Sequence, residues 1–166
     1  MRVILERCII EIALSRVPRC PYGAFAAQAR FLVVGAHALA VHGFPRATQD
    51  IDLWIDPVPS NAERVWSALI AFGAPVGQLG VTRDDLVHAD MAIQLGLPPN
   101  RIDLLTGVTG IGDFDWAWRN RMDRDVRGRQ VPFIGREALL QNKRAAGRKK
   151  DLADADLLEG IEQQRP

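Results

Sequence analysis

The spacing of apolar residues changes period at a few places along the chain, and each change predicts an element. Phe31-Leu32-Val33-Val34 is a continuous apolar run rich in β-formers, closed by Gly35 and followed by Ala36 to His42 with helical spacing. Strand, glycine turn and helix are expected in that order. Gly43 and Pro45 end the helix. Thr48 to Asp56 then alternates, with Ile51, Leu53 and Ile55 on one face and Asp50, Asp52, Trp54 and Asp56 on the other. Ser60 and Glu63 have capping-box spacing ahead of an amphipathic helix carrying Val65, Trp66, Leu69, Ile70 and Phe72, with Gly73 as its stop. A loop with Gly77, Gly80 and a Thr82-to-Asp85 cap follows. Met91 to Leu95 and Arg101 to Leu105 read as two strands of a hairpin, Phe114 to Met122 as a helix, and Val126 to Ile134 as a second hairpin turning near Gly128. Arg136 to Gly160 reads as a helical tail interrupted at Gly147.

Ahead of all this, Arg2 to about Leu14 has helical spacing, Pro18 and Pro21 break it, and a short Ala-rich stretch follows. Residues 1–30 are therefore read as an N-terminal helical appendage and 31–166 as the main domain. A chain of 166 residues buries roughly 70% of its unfolded surface, so it needs neither disulfides nor a structural metal to hold a core. Cys8 and Cys20 are too few and too close for a secreted framework, which points to a reducing, cytoplasmic setting. Glu6, Arg7 and Glu11 interrupt the only early apolar run, so no membrane segment is expected.

Charge adds something the totals hide. Lys+Arg number 21 against 20 Asp+Glu, which argues against a uniformly basic nucleic-acid glove. From Trp118 to Lys150, however, eleven basic residues stand against three acidic, a balance of +8, leaving −7 for the rest. A solvated helical face explains such a run as readily as a phosphate-binding one.

The acidic chemistry is concentrated in the alternating strand. Period-two geometry puts the Asp50 and Asp52 carboxylates on one face, roughly 6 to 7 Å apart along the chain. Two like charges so placed are tolerated in water, with one protonated, or around a cation. An edge strand with its polar face in solvent is the plain explanation; Mg²⁺, which takes carboxylate oxygens together with substrate phosphates, is the functional one. Asp103, flanked by Ile102 and Leu104, is the natural third ligand. Upstream, Gly35 lets the backbone approach a phosphate at the N-terminus of the next helix.

Gly35-Ala36, thirteen intervening residues and Asp50-Ile51-Asp52-Leu53 resemble the glycine turn and Asp-x-Asp of the nucleotidyltransferase superfamily that includes DNA polymerase β, with Asp103 at the third carboxylate. The run from Val34 through His42-Gly43-Phe44-Pro45-Arg46-Ala47-Thr48-Gln49 to Asp52, and the tail Leu140 to Asp154, are similar to small bacterial nucleotidyltransferase-like proteins related to AbiEii abortive-infection toxins. The resemblance covers about Phe31 to Glu159. It implies an α/β (α+β) nucleotidyltransferase-like fold, a short mixed sheet flanked by helices with a helical C-terminal tail. It also implies Mg²⁺-dependent transfer of NMP from an NTP to an RNA or protein acceptor, in a toxin–antitoxin or abortive-infection setting with a cognate partner. Asp50 and Asp52 would hold one Mg²⁺ on the triphosphate and share a second with Asp103.

Gly35 and Ala36 would donate backbone N–H bonds to the β/γ-phosphates, supplemented by Arg46 or Thr48, and Lys143 would reach the triphosphate as a point charge. Arg144, Arg148, Lys149 and Lys150 would meet an RNA backbone or other anionic acceptor. Helix solubility is the competing account of that basic cluster, as a surface role is of Arg46. Ala36 replaces the Gly or Ser usual after the turn glycine, so a backbone N–H survives while a hydroxyl contact does not. The alternative is a catalytically silent module of the same fold that binds a partner, in the manner of an antitoxin. His37 and His42 are five apart and do not share a helix face, so packing or hydrogen bonding is expected of them. Trp116 and Trp118 are expected to pack a helix, and Asp151 and Asp154 to pair with Arg148 or Lys150.

Overall fold

The computed structural model describes residues 29–98, 101–126 and 128–160. The expected appendage over residues 1–30 lies almost wholly outside the described residues. The elements are β1 (Phe31–Val33), α1 (Gly35–Val41), β2 (Asp50–Ile55), α2 (Pro59–Phe72), a single 3₁₀ turn (Asp84–Leu86), β3 (Ala92–Leu95), β4 (Arg101–Leu105), α3 (Phe114–Arg119), β5 (Met122–Val126), β6 (Arg129–Phe133), α4 (Arg136–Ala146) and α5 (Lys149–Gly160). The strands form one six-stranded mixed sheet in the order β3-β4-β2-β1-β6-β5. β2 runs antiparallel to β1 and parallel to β4, while β1 and β6 are parallel. The chain is thus a mixed α/β domain of the α+β kind, as expected.

The sheet order decides the character of β2. It is internal, between β1 and β4, so the edge-strand account of its carboxylates does not hold. Its acidic face is also shorter than alternation suggests. Trp54 is buried and meets Phe114 edge-on, ring centroids 4.9 Å apart, and Asp56 is buried against Arg30 at 2.8 Å. Only Asp50 and Asp52, at the N-terminal end of the strand, keep access to solvent.

Local starts and stops follow residue chemistry with two corrections. α2 begins at Pro59 after Val58, and no side chain caps it; Glu63 pairs with Arg83 at 2.8 Å instead of closing a capping box with Ser60. Proline at the first helical position has no N–H to satisfy and a preset φ, which moves the start ahead of the Ser. α3 stops at Arg119, short of Met122, because Asn120 breaks the helix and Met122 pairs with Phe133 in the sheet. The second hairpin accordingly starts at Met122 and turns at Gly128. Gly73 and Gly147 close α2 and α4 in the left-handed conformation, as placed from sequence. Thr82 donates from its N–H and its hydroxyl to Asp85, completing the expected cap.

The core runs along the sheet through Leu32, Val33, Ile51, Ile102, Leu104 and Phe133 and is closed by Leu39, Leu69, Leu139 and Leu158 from helices. α4 and α5 pack on each other, and α1 contacts both β2 and α4. That brings the C-terminal helices toward the acidic end of β2. No helix among the described residues is long and apolar enough to cross a membrane.

Candidate functional site

The parallel register of β2 and β4 builds the site. Asp52 is level with Asp103 and Asp50 with Arg101. Since neighbouring strands lie about 4.8 Å apart and level residues face the same way, the four side chains form a square on one sheet face. Three corners are carboxylates and the fourth is a guanidinium. Asp50, Asp52 and Asp103 are therefore brought together, and Asp103 is on the same side of the sheet as Asp50.

The turn between β1 and α1 closes on this square. Gly35 has φ +63°, and a Cβ at this position would lie 2.0 Å from Asp52 Oδ2. The Asp52 carboxylate thus rests against a backbone that only glycine leaves open. Val34 N–H donates to the Asp52 carbonyl at 3.0 Å, tying the turn to β2. The first N–H groups of α1, those of Gly35, Ala36 and His37, have no acceptor within the helix, and Val34 supplies no side-chain cap. Gly35→Ala is expected to cost about 2 kcal/mol in urea unfolding, combining left-handed strain with displacement of Asp52. Gly73→Ala has similar φ, +77°, but open space around it, and should cost only about 1 kcal/mol. Equal costs at the two sites would show that the Asp52 contact carries no weight.

Electrostatics divide the carboxylates. Thr48 Oγ1 donates to Asp50 Oδ1, and that bond, opposed by partial burial and helped by Arg101, holds the Asp50 pKa below the ordinary carboxylate value. Asp52 goes the other way. Burial first, then the charges of Asp50 and Asp103, push its pKa up to about 6, against the pull of Lys143 and Arg101. Arg101 Nη2 bonds Asp50 Oδ2 and reaches Asp103 Oδ2 at 3.0 Å, with Arg101 Nε 2.9 Å from Asp103 Oδ1. His37, on α1, is buried, and that burial holds its pKa below the ordinary histidine value. His42 Nε2 donates to the Ile134 carbonyl at 2.9 Å.

Several expected phosphate ligands are occupied elsewhere. Lys143 is buried, its Nζ 2.9 Å from both Asp151 Oδ1 and Asp154 Oδ2, so its amine holds α4 to α5 while its charge still acts on Asp52. Thr48 donates its hydroxyl hydrogen bond to Asp50, a carboxylate of the site itself. Arg46 Nη2 lies 3.6 Å from Asp154 Oδ2, at the margin of the same buried cluster. Asp154 therefore pairs with Lys143 and Arg46 rather than Lys150, while Asp151 does pair with Arg148. Arg144 pairs with Glu159, so part of the basic rear is neutralised internally. Trp116 and Trp118 pack against the core, as expected, and Trp118 stacks on Phe114 at 6.0 Å under the guanidinium of Arg30.

As a donor set, three carboxylates on one face suit a hard divalent cation. Asp103 Oδ1 is buried without a hydrogen bond despite its proximity to Arg101 Nε, leaving an oxygen with unmet capacity. Among the described residues no group of three Asp, Glu, His or Cys side chains is arranged so that it could hold a metal ion as it stands; Arg101 lies between Asp50 and Asp103 instead. Arg101 is the site residue that sequence reasoning missed. The period-two logic applied to β2 would have found it on β4, two residues before Asp103. No protein-family model matches the chain, and no curated protein is significantly similar to it.

Proposed function

We propose that the protein is a Mg²⁺-dependent nucleotidyltransferase that moves NMP from an NTP to an RNA or protein acceptor, as a component of a toxin–antitoxin or abortive-infection pair. The observation that carries this reading is the square on β2 and β4, where Asp50, Asp52 and Asp103 share one face beneath the Gly35 turn. Asp50 and Asp52 would hold the metal carried by the triphosphate, with Asp103 completing a second position. Bound there, Mg²⁺ would lower the pKa of the attacking hydroxyl and stabilise charge on the departing pyrophosphate. The N–H groups of Gly35 and Ala36 would bind the outer phosphates; Ala36 contributes no hydroxyl. In the transfer, an acceptor oxygen bonds the α-phosphorus, the bond to the bridging oxygen breaks, and pyrophosphate leaves.

Incubation with each labelled NTP, Mg²⁺ and total cellular RNA or protein should label a product, and Asp52→Asn should abolish the labelling. Label that persists in the Asp52→Asn protein would place the activity elsewhere. A second reading, a catalytically silent module of this fold that binds a partner, has one observation in its favour: Arg101 already pairs with Asp50 and Asp103 without a metal. A stoichiometric partner on purification, with no Mg²⁺-dependent nucleotide binding, would decide for it.

A further inference from the structure

Three carboxylates within one square carry a charge of −3, and a site that keeps them ionised without metal needs an internal cation. Two lysine or arginine side chains lie close enough to act on Asp52. Lys143 is turned into the α4–α5 cluster, its amine shared by Asp151 and Asp154. Arg101 is the other, and its guanidinium bridges Asp50 and Asp103 directly. The side chain remains about a quarter exposed, at 26%, so solvent offers it an exit. Its Nη2 bonds Asp50 Oδ2 and, at 3.0 Å, Asp103 Oδ2, whereas Nε meets Asp103 Oδ1 at ion-pair distance without hydrogen-bond geometry. A forked guanidinium is suited to carboxylates, but it supplies only one positive charge for three negative ones.

Building on the metal-dependent reading above, we propose that Arg101 is a built-in counter-ion that competes with the divalent cation for Asp50 and Asp103 and thereby sets the affinity of the metal site. A cation that binds these oxygens must first part the guanidinium from at least one of them. The affinity of the nucleotide-free protein for metal is reduced by that competition, since a ligand gains only the difference between the two arrangements. The competition also keeps the three carboxylates on one face tolerable when metal is scarce, which gives the arginine a folding role in the same position.

Mn²⁺ binding to the full chain without nucleotide, followed by the EPR signal of the free ion, tests this. Arg101→Gln should bind Mn²⁺ at least about tenfold more tightly than the wild type. Arg101→Lys keeps the charge but loses the fork, and should fall between them, about threefold tighter. Asp52→Asn added to Arg101→Gln should remove the gain. Thermal unfolding gives a second readout. The Arg101→Gln protein should melt lower than wild type in EDTA and show the larger rise in Tm on adding Mn²⁺. If Arg101→Gln does not fold in EDTA, the Arg101→Lys affinity decides alone. Saturable binding by the wild type with no tightening in either variant overturns the role of Arg101 and leaves the metal-dependent reading standing. No saturable binding by wild type or variants overturns that reading, and this proposal with it.

Discussion

Lys143→Met should lower the free energy of unfolding by about 3 kcal/mol, at the lower end of the 3–5 kcal/mol seen when one partner of a buried ion pair is removed. The side chains of Lys143, Asp151 and Asp154 are 5%, 1% and 8% exposed, so the two carboxylates would be left in the interior without their shared amine. Arg148 on Asp151 and Arg46 near Asp154 remain, which keeps the loss from reaching the top of that range. Burial opposes the charge on Asp151, yet hydrogen bonds from Lys143 and Arg148 hold its pKa below the ordinary value. A depressed carboxylate of this kind contributes stability above its unfolded pKa and loses it as pH falls through the folded one. Urea unfolding at pH 7 measures the effect, with the exposed neighbour Lys149→Met as a control expected within about 0.5 kcal/mol of wild type. Adding Asp151→Asn and Asp154→Asn to Lys143→Met should recover part of the loss. A loss below about 1 kcal/mol would mean the amine is not shared by two buried carboxylates.

Asp52→Asn should have opposite effects on the proposed activity and on stability: the proposed transfer should be abolished, and the metal-free protein should become more stable at neutral pH. The sign follows from a folded pKa raised to about 6 from an ordinary 3.8. Between these values the native protein holds a proton that the unfolded chain has lost, so stability falls as pH rises through this window. Above it, the full penalty of an ionised Asp52 is present, about 2–3 kcal/mol for a shift of this size. Asparagine keeps the shape and removes the charge, so the gain over wild type should be about 2 kcal/mol at pH 7.5 and shrink to about 0.5 kcal/mol or less by pH 4. Chemical denaturation in EDTA across pH 4–8 checks it. A gain independent of pH would assign the stabilisation to something other than relief of the carboxylate. The result also bears on function, because a site that lowers stability in the absence of its ligand is the pattern expected where activity and stability are traded. The two experiments are linked through space: Lys143 helps keep Asp52 ionised, so Lys143→Met should move the pH window of Asp52 upward.

Much of the site was legible in the sequence because its residues obey a local period. Alternation over Thr48 to Asp56 put Asp50 and Asp52 on one face, and the position of Gly35 between a β run and a helical run identified the turn that the structure closes on Asp52. Asp103 was recognisable as an acid inside an apolar strand, which requires a partner or solvent. Less was legible where a residue's partner comes from a distant element. Lys143 looked like a cation available for phosphate because its charge was visible and its burial was not. Arg46 and Thr48 each met a partner from another residue that local pattern does not show, Asp154 for the arginine and Asp50 for the hydroxyl. The Ser60–Glu63 spacing satisfied a capping rule that Pro59 overrode at closer range.

The order of apolar and polar residues by itself determined the elements, their approximate limits, the glycine turn and the shared face of Asp50 and Asp52. These depend on interactions within a few residues, and a local pattern carries them in full. The sheet order and the parallel register of β2 with β4 were decided only by tertiary structure. With them came the interior position of the acidic strand, the alignment of Asp103 beside Asp52, and the placing of Arg101 against Asp50. Pairing of strands some fifty residues apart is set by how the whole core packs, and a one-residue slip would have turned Asp103 to the opposite face.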